Sequence, residues 1–454
     1  QDSDFAPRDC QRLAAIDSMA ETDSNSEVAQ YDLTCRMAPF LDKHLLLNVL
    51  FFLKKAGEDI YKEKDLLEAE KNVALSTSMI DCAKDCYEAL GEDVPDALED
   101  RSQAIIEEVT EASKNSLSLL SALEDQGKMD AIRDCKSFVE VCEELDISME
   151  EAEALVSLAK MKYEIGDYAF TSLLLTKYRY LRVRAKEDET SKTVGTLWGS
   201  IASQLLNNDF ELAADNIDTL TVYLDSAKLT RKELLVQKTW LLHWSCWAMF
   251  RPTTVPSKVL NIFVNEKSLS IISLSCPHLF RYVAASLVLQ KRLKLAVKDT
   301  VAIINAESHA YSDPITRFLV ALYIDLDFDR AQQELKQCGK VCRIDSFLAD
   351  KWSEFEENAR LMIFEIYCHI HQSIYIDMIA KDLGMSPQEA ELWIVKLIQS
   401  AKLDARIDSE RSRVVMSKTP PSVYQQVIEK TKNLSFRSTM LLSNLEKKEQ
   451  KDKI

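Results

Sequence analysis

Apolar residues recur at helical spacing through most of the last hundred positions of the chain. Three such runs occupy residues 359–370, 376–383 and 387–401. Their period of three to four residues predicts three amphipathic helices. Ser386, Pro387 and Glu389 form the start signature of the third helix. Over residues 403–416 the period becomes two, which predicts a β-hairpin. Helices followed by a hairpin in this order predict a winged helix over residues 355–418.

In a DNA-binding winged helix, the third helix would lie in the major groove. Here that helix begins with Glu389 and Glu391, and Lys396 is its cation. A helix that contacts bases and phosphates needs Arg, Lys, Asn or Gln near its N-terminal end. The charges therefore favour a packing module and argue against direct, sequence-specific DNA binding. A winged-helix nucleic-acid-binding protein stays open as the alternative of a different class.

Residues 148–354 carry a repeated signal that is typical of helical hairpins. Tyr163, Gly166, Tyr168 and Ala169 resemble the tight turn of a tetratricopeptide-like pair of helices. The same device returns at two later places, where an aromatic residue is followed three residues later by alanine. These places are Phe210 with Ala213 and Phe328 with Ala331. Because the copies are unevenly spaced, they predict an irregular, TPR-like helical-repeat solenoid, and such solenoids are chiefly scaffolds.

Trp240, Trp244 and Trp247 lie at offsets of four and three within this region. The spacing places all three rings on one helix face, where they could form a stacking platform for bases. No basic residue follows Lys238 until Arg251. The stripe is therefore predicted to be core.

The composition supports a mainly α protein. The 454 residues include eight glycines and ten prolines, fewer than turn-rich sheet folds require. Residues 30–147 continue the helical pattern as an N-terminal region. Residues 1–29 are acidic with weak periodicity, which predicts an extension that is mobile or loosely docked.

A net charge of −17 makes the chain as a whole a poor match for a polyanion. Eleven scattered cysteines indicate reduced thiols rather than a disulfide framework. Two pairs are spaced one helical turn apart, at Cys82 and Cys86 and at Cys338 and Cys342, but no further ligands complete either set. They are predicted to be small buried side chains, and no metal or cofactor is expected.

The chain has no glycine-rich phosphate loop, nucleophile elbow or paired metal motif. It also has no apolar run of about 18 residues and no basic-then-apolar leader. A non-catalytic protein that does not enter a membrane is the resulting expectation.

A last helix is predicted after Pro420 and Pro421, which end the hairpin because neither can donate a ladder hydrogen bond. Apolar residues recur there every seven positions, with neighbours beside the same seam. They are Val423, Val427, Leu434, Leu441 and Leu445. This narrow stripe suits a helical bundle with partner helices. The helix and a Lys-rich tail make up residues 419–454.

A helical solenoid followed by a winged helix is the order of the PCI domain. Several segments resemble a PCI family of eukaryotic translation initiation factor 3, that of its E subunit. In the C-terminal third these segments are ENARLMIFEIYCHIHQSIYIDMIAKDLGMSPQEAELWIVKLIQSAKLDARIDSERSRVVM and VYQQVIEKTKNLSFRSTMLLSNLE. Earlier segments are YDLTCRMAPFLDKHLL, QKTWLLHWS, SCPHLFRY and DPITRF. The resemblance covers about residues 31–446; it is weakest over 97–147 and does not include the first 29.

The resemblance implies a non-catalytic, cytoplasmic scaffold subunit of translation initiation factor 3 that sits on the small ribosomal subunit and supports pre-initiation complex assembly and mRNA recruitment. Its implied partners are other PCI and MPN subunits, including the D subunit, and the scaffold protein of the cap-binding complex. In this family winged helices pair edge to edge and the helices after them form a bundle. The pairing surface would fall on Leu403, Ala405, Ile407, Val414, Val415 and Met416, and the bundle contact on the five residues of the last helix. A PCI subunit of the proteasome lid or the signalosome shares these physical features and stays open as an alternative.

Overall fold

The computed structural model describes residues 29–56, 61–124, 149–184, 190–226, 229–252, 257–290, 294–371, 373–376, 388, 391–392, 394–395, 405–408, 413–416 and 423–451. The prediction of a mainly α protein is confirmed, since helices account for most of these residues. The chain divides into two compact units, Gln1–Ala359 and Arg360–Ile454. The division falls inside a helix, a few residues beyond the start predicted for the winged helix. The predicted extension, residues 1–29, lies outside the described residues apart from Ala29.

The first unit is a succession of helices that pack on one another. Most consecutive helices contact each other, as expected when each helix covers the apolar face of the one before it. The helices up to the middle of the unit are α1 (Thr34–Met37), α2 (Lys43–Ala56), α3 (Glu63–Leu75), α4 (Ile80–Leu90), α5 (Asp96–Glu124), α6 (Met149–Ile165), α7 (Tyr168–Arg184), α8 (Thr190–Leu206) and α9 (Phe210–Ser226). Those that follow are α10 (Arg231–Phe250), α11 (Ser257–Val264), α12 (Glu266–Ser275), α13 (Phe280–Leu289), α14 (Lys294–Ala306), α15 (Pro314–Val320), α16 (Phe328–Ile344) and α17 (Trp352–Ile370).

The second unit contains the end of α17, a small sheet and a long helix. Its elements are β1 (Ser373–Tyr375), β2 (Ala405–Asp408), β3 (Arg413–Met416) and α18 (Val423–Lys451). The strand β1 was missing from the predicted order, which placed a helix directly after α17. Three residues are too few to show a period of two, and β1 exists because β3 supplies its hydrogen-bonding partner. Most of the two helices predicted over 376–401, including Trp393 on the apolar face of the second, lies outside the described residues, although Ile394 from that face is buried.

The three predicted helical turns share one local geometry. Gly166, Asn208 and Leu326 each adopt a positive φ, at 101°, 64° and 54°. Each is followed by an aspartate and then by the aromatic first residue of the next helix. The buried small residue three positions after that aromatic is Ala213 in the second copy and Ala331 in the third, as predicted.

The first copy of this turn requires a correction. Ala169, which the sequence pattern singled out, is exposed on α7. The buried position is held by Thr171, three residues after Tyr168, as in the other two copies. The Thr171 hydroxyl donates to the Asp167 carbonyl at 2.8 Å, so the polar side chain is satisfied inside the helix crossing.

The three tryptophans of α10 are buried, which confirms that prediction. Trp244 also donates a hydrogen bond from Nε1 to the carbonyl of Phe40 at 3.0 Å. Phe40 belongs to an N-terminal strap, residues 29–42, that lies across the middle of the first unit. The Phe40 ring stacks on His243 with 4.2 Å between ring centroids.

The strap is held at its other end by a buried ion network. Arg281, at the start of α13, is 1% exposed. Its Nε donates to Asp313 at 2.8 Å, its Nη1 donates to Asp345 at 3.1 Å, and its Nη2 donates to the carbonyl of Tyr31. Tyr282 also donates to Asp345, at 3.0 Å. The charges are thus paired and hydrogen-bonded, the condition on which a buried ion pair depends.

The first prediction concerns this network. Replacing Arg281 by methionine leaves the carboxylates of Asp313 and Asp345 buried together without a cation, and we expect the free energy of unfolding to fall by about 3–5 kcal/mol. Urea denaturation of the purified chain measures the change. Lys258→Met is the control, because it breaks an exposed 2.7 Å pair with Asp215 and should leave the free energy of unfolding nearly unchanged. Equal losses in the two variants would show that the network does not hold the strap.

Below the strap, two imidazoles are buried against each other. The Nε2 atoms of His243 and His278 are 2.9 Å apart. Nδ1 of His243 lies 2.7 Å from the carbonyl of Thr239, which can only accept, so Nδ1 carries the proton. Nε2 of His243 is then an acceptor, and His278 donates to it. Burial lowers the pKa of His243 to about 4, and burial together with His243 lowers the pKa of His278 to about 3.

The second prediction follows from these two pKa values. Both lie below the ordinary value of 6.5, so the unfolded chain binds protons that the folded chain does not, and stability is lost as the pH falls below about 6.5. Between pH 6.5 and 5, the pair should contribute roughly 2–3 kcal/mol of that loss. We expect the variant His243→Leu with His278→Met to show a shallower dependence in urea denaturation across this range. Parallel profiles for parent and variant would mean that the two histidines are not both neutral in the folded chain.

Candidate interaction surfaces

Two of the three described strands lie at an edge of the sheet in the second unit. Its strand order is β1-β3-β2, and both pairs are antiparallel. The middle strand β3 pairs on both sides, whereas among the described strands β1 and β2 each pair with β3 alone. A strand with an unpaired edge presents backbone donors and acceptors on which another strand can assemble.

The pairing register decides which hairpin side chains face the core. Ile407 lies opposite Val414, and Ile374 lies opposite Val414 from the other side. Directly opposed residues of antiparallel strands share a face. Val414 is fully buried and Ile407 is partly exposed, so this face covers the core of the unit. Val415 is on the opposite face and is partly exposed.

The remaining hairpin residues named from the sequence are less completely described. Ala405 and Met416 are opposed in the register, but their side chains lie outside the described residues. Leu403 lies outside them altogether. The surface implied by the resemblance took the apolar residues of both hairpin strands, and one of them, Val414, is fully buried.

The outward face of the sheet has a different composition. Tyr375 on β1 is 59% exposed and lies opposite Arg413 on β3. Arg413 also lies opposite Asp408 on β2, and its Nε donates to the Asp408 carboxylate at 3.1 Å. Together with Val415 these residues offer an aromatic ring, an aliphatic side chain and a partly exposed ion pair. Tyr375 was missed because the strand that carries it was not predicted.

The long helix α18 provides the second surface. Val427, Leu434 and Leu441 are 56%, 62% and 64% exposed. Val423 and Leu445 belong to the same helix, but their side chains lie outside the described residues. The apolar stripe along α18, which we call the seam, is wider than the heptad pattern indicated. Further exposed apolar residues lie beside the heptad positions. These are Tyr424, Ile428 and Leu442.

Phe436 and Met440, which are 66% and 53% exposed, lie on a different side of α18. The helix therefore has apolar residues beyond the one seam that the heptad pattern predicted. Every side chain described between residues 424 and 442 is exposed. An isolated helix of this kind is not stabilised by its own apolar residues, which instead favour contact with other helices.

A cluster of two cysteines and one glutamate in the first unit places possible metal ligands close together, but its thiols are not in the deprotonated form that binds a metal. Glu70, Cys82 and Cys86 bring three possible ligand atoms within 4.8 Å of one another. Lys54 lies 3.7 Å from the Glu70 carboxylate. Burial and the Glu70 carboxylate raise the pKa of Cys82, and burial raises the pKa of Cys86 to about 12. Both thiols are thus protonated at neutral pH, which does not favour metal binding, and the absence of a bound metal stays a prediction.

The other cysteine pair agrees with the prediction of small core residues. Cys338 and Cys342 are fully buried on α16, and burial raises the pKa of both thiols. Among the helices that the structure describes, none has a stretch long and apolar enough to span a membrane.

Family models match three parts of the chain. The model described as the PCI domain matches residues 335–418, which include α17 and the three strands. The model described as the eIF3 subunit 6 N terminal domain matches residues 32–162. The model described as the C-terminal part of the E subunit of eukaryotic translation initiation factor 3 matches residues 422–442, most of the exposed part of α18. A helical-repeat unit joined to this sheet and matched in this way defines a PCI-domain protein.

Relatives that match along nearly the whole chain identify the family within the class of PCI-domain proteins. The chain is 37% identical over 438 residues to the E subunit of eukaryotic translation initiation factor 3 from Caenorhabditis elegans, covering 94% of this chain and 99% of the relative. It is 35% identical to the E subunits of Drosophila virilis and Aedes aegypti, covering 93% of this chain and 96% and 97% of those relatives. The chain belongs to the family of the E subunit of eukaryotic translation initiation factor 3. Of the three PCI assemblies considered, this family membership identifies the initiation factor and excludes the proteasome lid and the signalosome.

Proposed function

We propose that the chain is a non-catalytic scaffold subunit of the cytoplasmic translation initiation factor 3 complex. In this role it helps to hold the complex on the small ribosomal subunit, where pre-initiation complexes assemble and mRNA is recruited. The proposed partners are other PCI and MPN subunits, the D subunit among them, and the scaffold protein of the cap-binding complex. The family membership supports this role, and the observation that carries it is the exposed apolar surface of α18.

The argument from α18 is energetic. Val427, Leu434 and Leu441 are each more than half exposed along a single helix. Burying an aliphatic side chain of this size contributes about 1.5–3 kcal/mol relative to leaving it in water. Partner helices that cover this seam recover that free energy. A repeat of seven residues, as these three show, is the pattern by which helices interlock in bundles.

The sheet is the proposed second contact. A strand of a partner can add to the open edge of β2, and main-chain hydrogen bonds would then join the two sheets. Ile407 on β2 and Val415 on β3 are the partly exposed hairpin residues we assign to this contact. Leu403, Ala405 and Met416 stay in the proposal as neighbours in sequence, whereas buried Val414 supports the strand from inside.

The third prediction separates assembly from folding with two adjacent residues of α18. Leu434→Asp places a charge in the apolar seam, and we expect at least tenfold weaker recovery of partner subunits and small ribosomal subunits in a pull-down. Its melting temperature should match the parent's, because Leu434 is 62% exposed. Asn433→Asp is the comparison: it adds the same charge one position along, about 100° around the helix and on the side of Phe436 and Met440. Loss of partners with Leu434→Asp alone would assign the contact to the seam, and equal loss with both variants would contradict that assignment.

Deletion of residues 422–454 extends this test. The truncated chain should melt as the parent does and should lose its partners. Loss of soluble, helical protein would show that α18 packs on its own chain. Undiminished recovery of partners would show that assembly does not require α18.

A further inference from the structure

The third helical turn, around Leu326, differs from its two counterparts in the residue that adopts the left-handed conformation. The first two turns use Gly166 and Asn208 there. Glycine has no Cβ to clash, and asparagine tolerates this region better than other residues. The third turn places Leu326 at φ 54° and ψ 30°. A leucine in this region is strained and rare.

The hydrogen bonds around this turn also differ. In the first two turns, the amide of the capping aspartate donates to a carbonyl five residues back: Asp167 to Lys162 and Asp209 to Gln204, both at 2.9 Å. In the third turn, Asp327 donates to Ala321 at 3.0 Å, six residues back. The preceding segment Ala321–Asp325 is a π-helix. The turn therefore contains one inserted residue, and such insertions are frequent at functional sites.

The insertion brings two aliphatic side chains to the surface. Ile324 is 41% exposed and Leu326 is 48% exposed. We call these two side chains the π-turn ridge. Leu326 thus contributes only part of its side chain to the core while its backbone is strained. Strained residues that persist in this way cluster at binding sites, where strain fixes a side chain in place.

The charges around the π-turn ridge indicate what could cover it. Asp325 pairs with Arg330 at 2.8 Å, and Asp327 accepts from the Arg330 amide at 3.0 Å. Asp329 is exposed beside them. Three aspartates against one arginine give the surroundings a negative charge, which opposes nucleic acid and favours a cationic partner.

We propose that the π-turn ridge docks a segment of another subunit of the proposed initiation-factor complex, an apolar side chain flanked by Lys or Arg. This inference rests on the proposed function for the identity of the complex. The hydrogen bonds of the turn fix its backbone before binding, so little conformational freedom is lost on docking. Its negative surroundings orient the basic segment and exclude RNA.

The fourth prediction uses Leu326→Asn, which suits the left-handed backbone and removes the aliphatic side chain. We expect the melting temperature of the isolated chain to equal or exceed the parent's. When the labelled chain is titrated into a purified factor 3 complex that lacks this subunit, the variant should bind about tenfold more weakly, because one leucine is no longer buried. Asn208→Gly, at the equivalent turn without an apolar ridge, is the matched control and should bind as the parent does.

Hydrogen exchange supplies an independent readout. The amides of residues 321–330 should exchange more slowly in the reconstituted complex than in the isolated chain. Parent-like binding by Leu326→Asn, or exchange unchanged by assembly, would overturn the docking proposal alone. A lowered melting temperature of Leu326→Asn would show that the side chain serves its own fold. If the parent chain itself failed to bind the complex, the proposed function would fail as well.

Discussion

The fold of the first unit depends on one buried guanidinium. Arg281 is satisfied only when Asp313, Asp345 and the carbonyl of Tyr31 come together around it. These groups are separated by as much as 314 residues along the chain, and each belongs to a different local element. A charge that cannot be left unpaired inside a protein excludes alternative arrangements of those elements. The apolar contacts make the unit compact, and Arg281 fixes how the strap, α13, α15 and α16 meet.

This long-range closure distinguishes the first unit from an ideal solenoid. In a simple repeat protein each element contacts its neighbours only, and the array can open at any junction. Here the strap carries Phe40 to α10 and Tyr31 to Arg281, so distant parts of the array are joined. Asp42, at the end of the strap, accepts a further hydrogen bond from Tyr163 on α6 at 2.6 Å. Opening one repeat would therefore break contacts made by the strap elsewhere, which favours cooperative unfolding.

The helical part of the architecture could be predicted because its signals are local and repeated. The tryptophans of α10 and the apolar residues of α17 recur at spacings of three and four residues, and those of α18 recur every seven residues. The ion pairs of Arg281 have no such signal, because a single arginine in an apolar helix does not indicate which distant residues it pairs with. Gly339 is similar: it allows the Trp352 ring so close that an added Cβ would lie 3.0 Å from it, and no pattern announces that approach.

For the candidate surfaces, the sequence was more informative about α18 than about the sheet. An exposed seam and a buried seam look alike in sequence, but the heptad period of α18 predicted a surface for partner helices, and the structure shows Val427, Leu434 and Leu441 exposed. The partner helices themselves stay a prediction. In the hairpin, alternation revealed which residues share a face without revealing which face is inward. The inserted residue near Leu326 could not be recognised because α15 spans only seven residues before the π-helix, too few to reveal a shift in the phase of a helical pattern.

The overall charge constrains how such a chain could serve on a ribosome. At −17, the molecule is repelled by ribosomal RNA at long range, and salt weakens this repulsion without reversing it. Among the described residues, the surfaces to which we assign partners are the exposed apolar residues of α18, the outer edge of β2 and the π-turn ridge, and all three suit protein partners. Cations do occur on α18, at Lys430, Lys432 and Arg437, but beside the apolar seam. If the complex sits on the small ribosomal subunit as proposed, these features favour an indirect attachment, in which partner subunits contact the RNA and this chain holds those partners together.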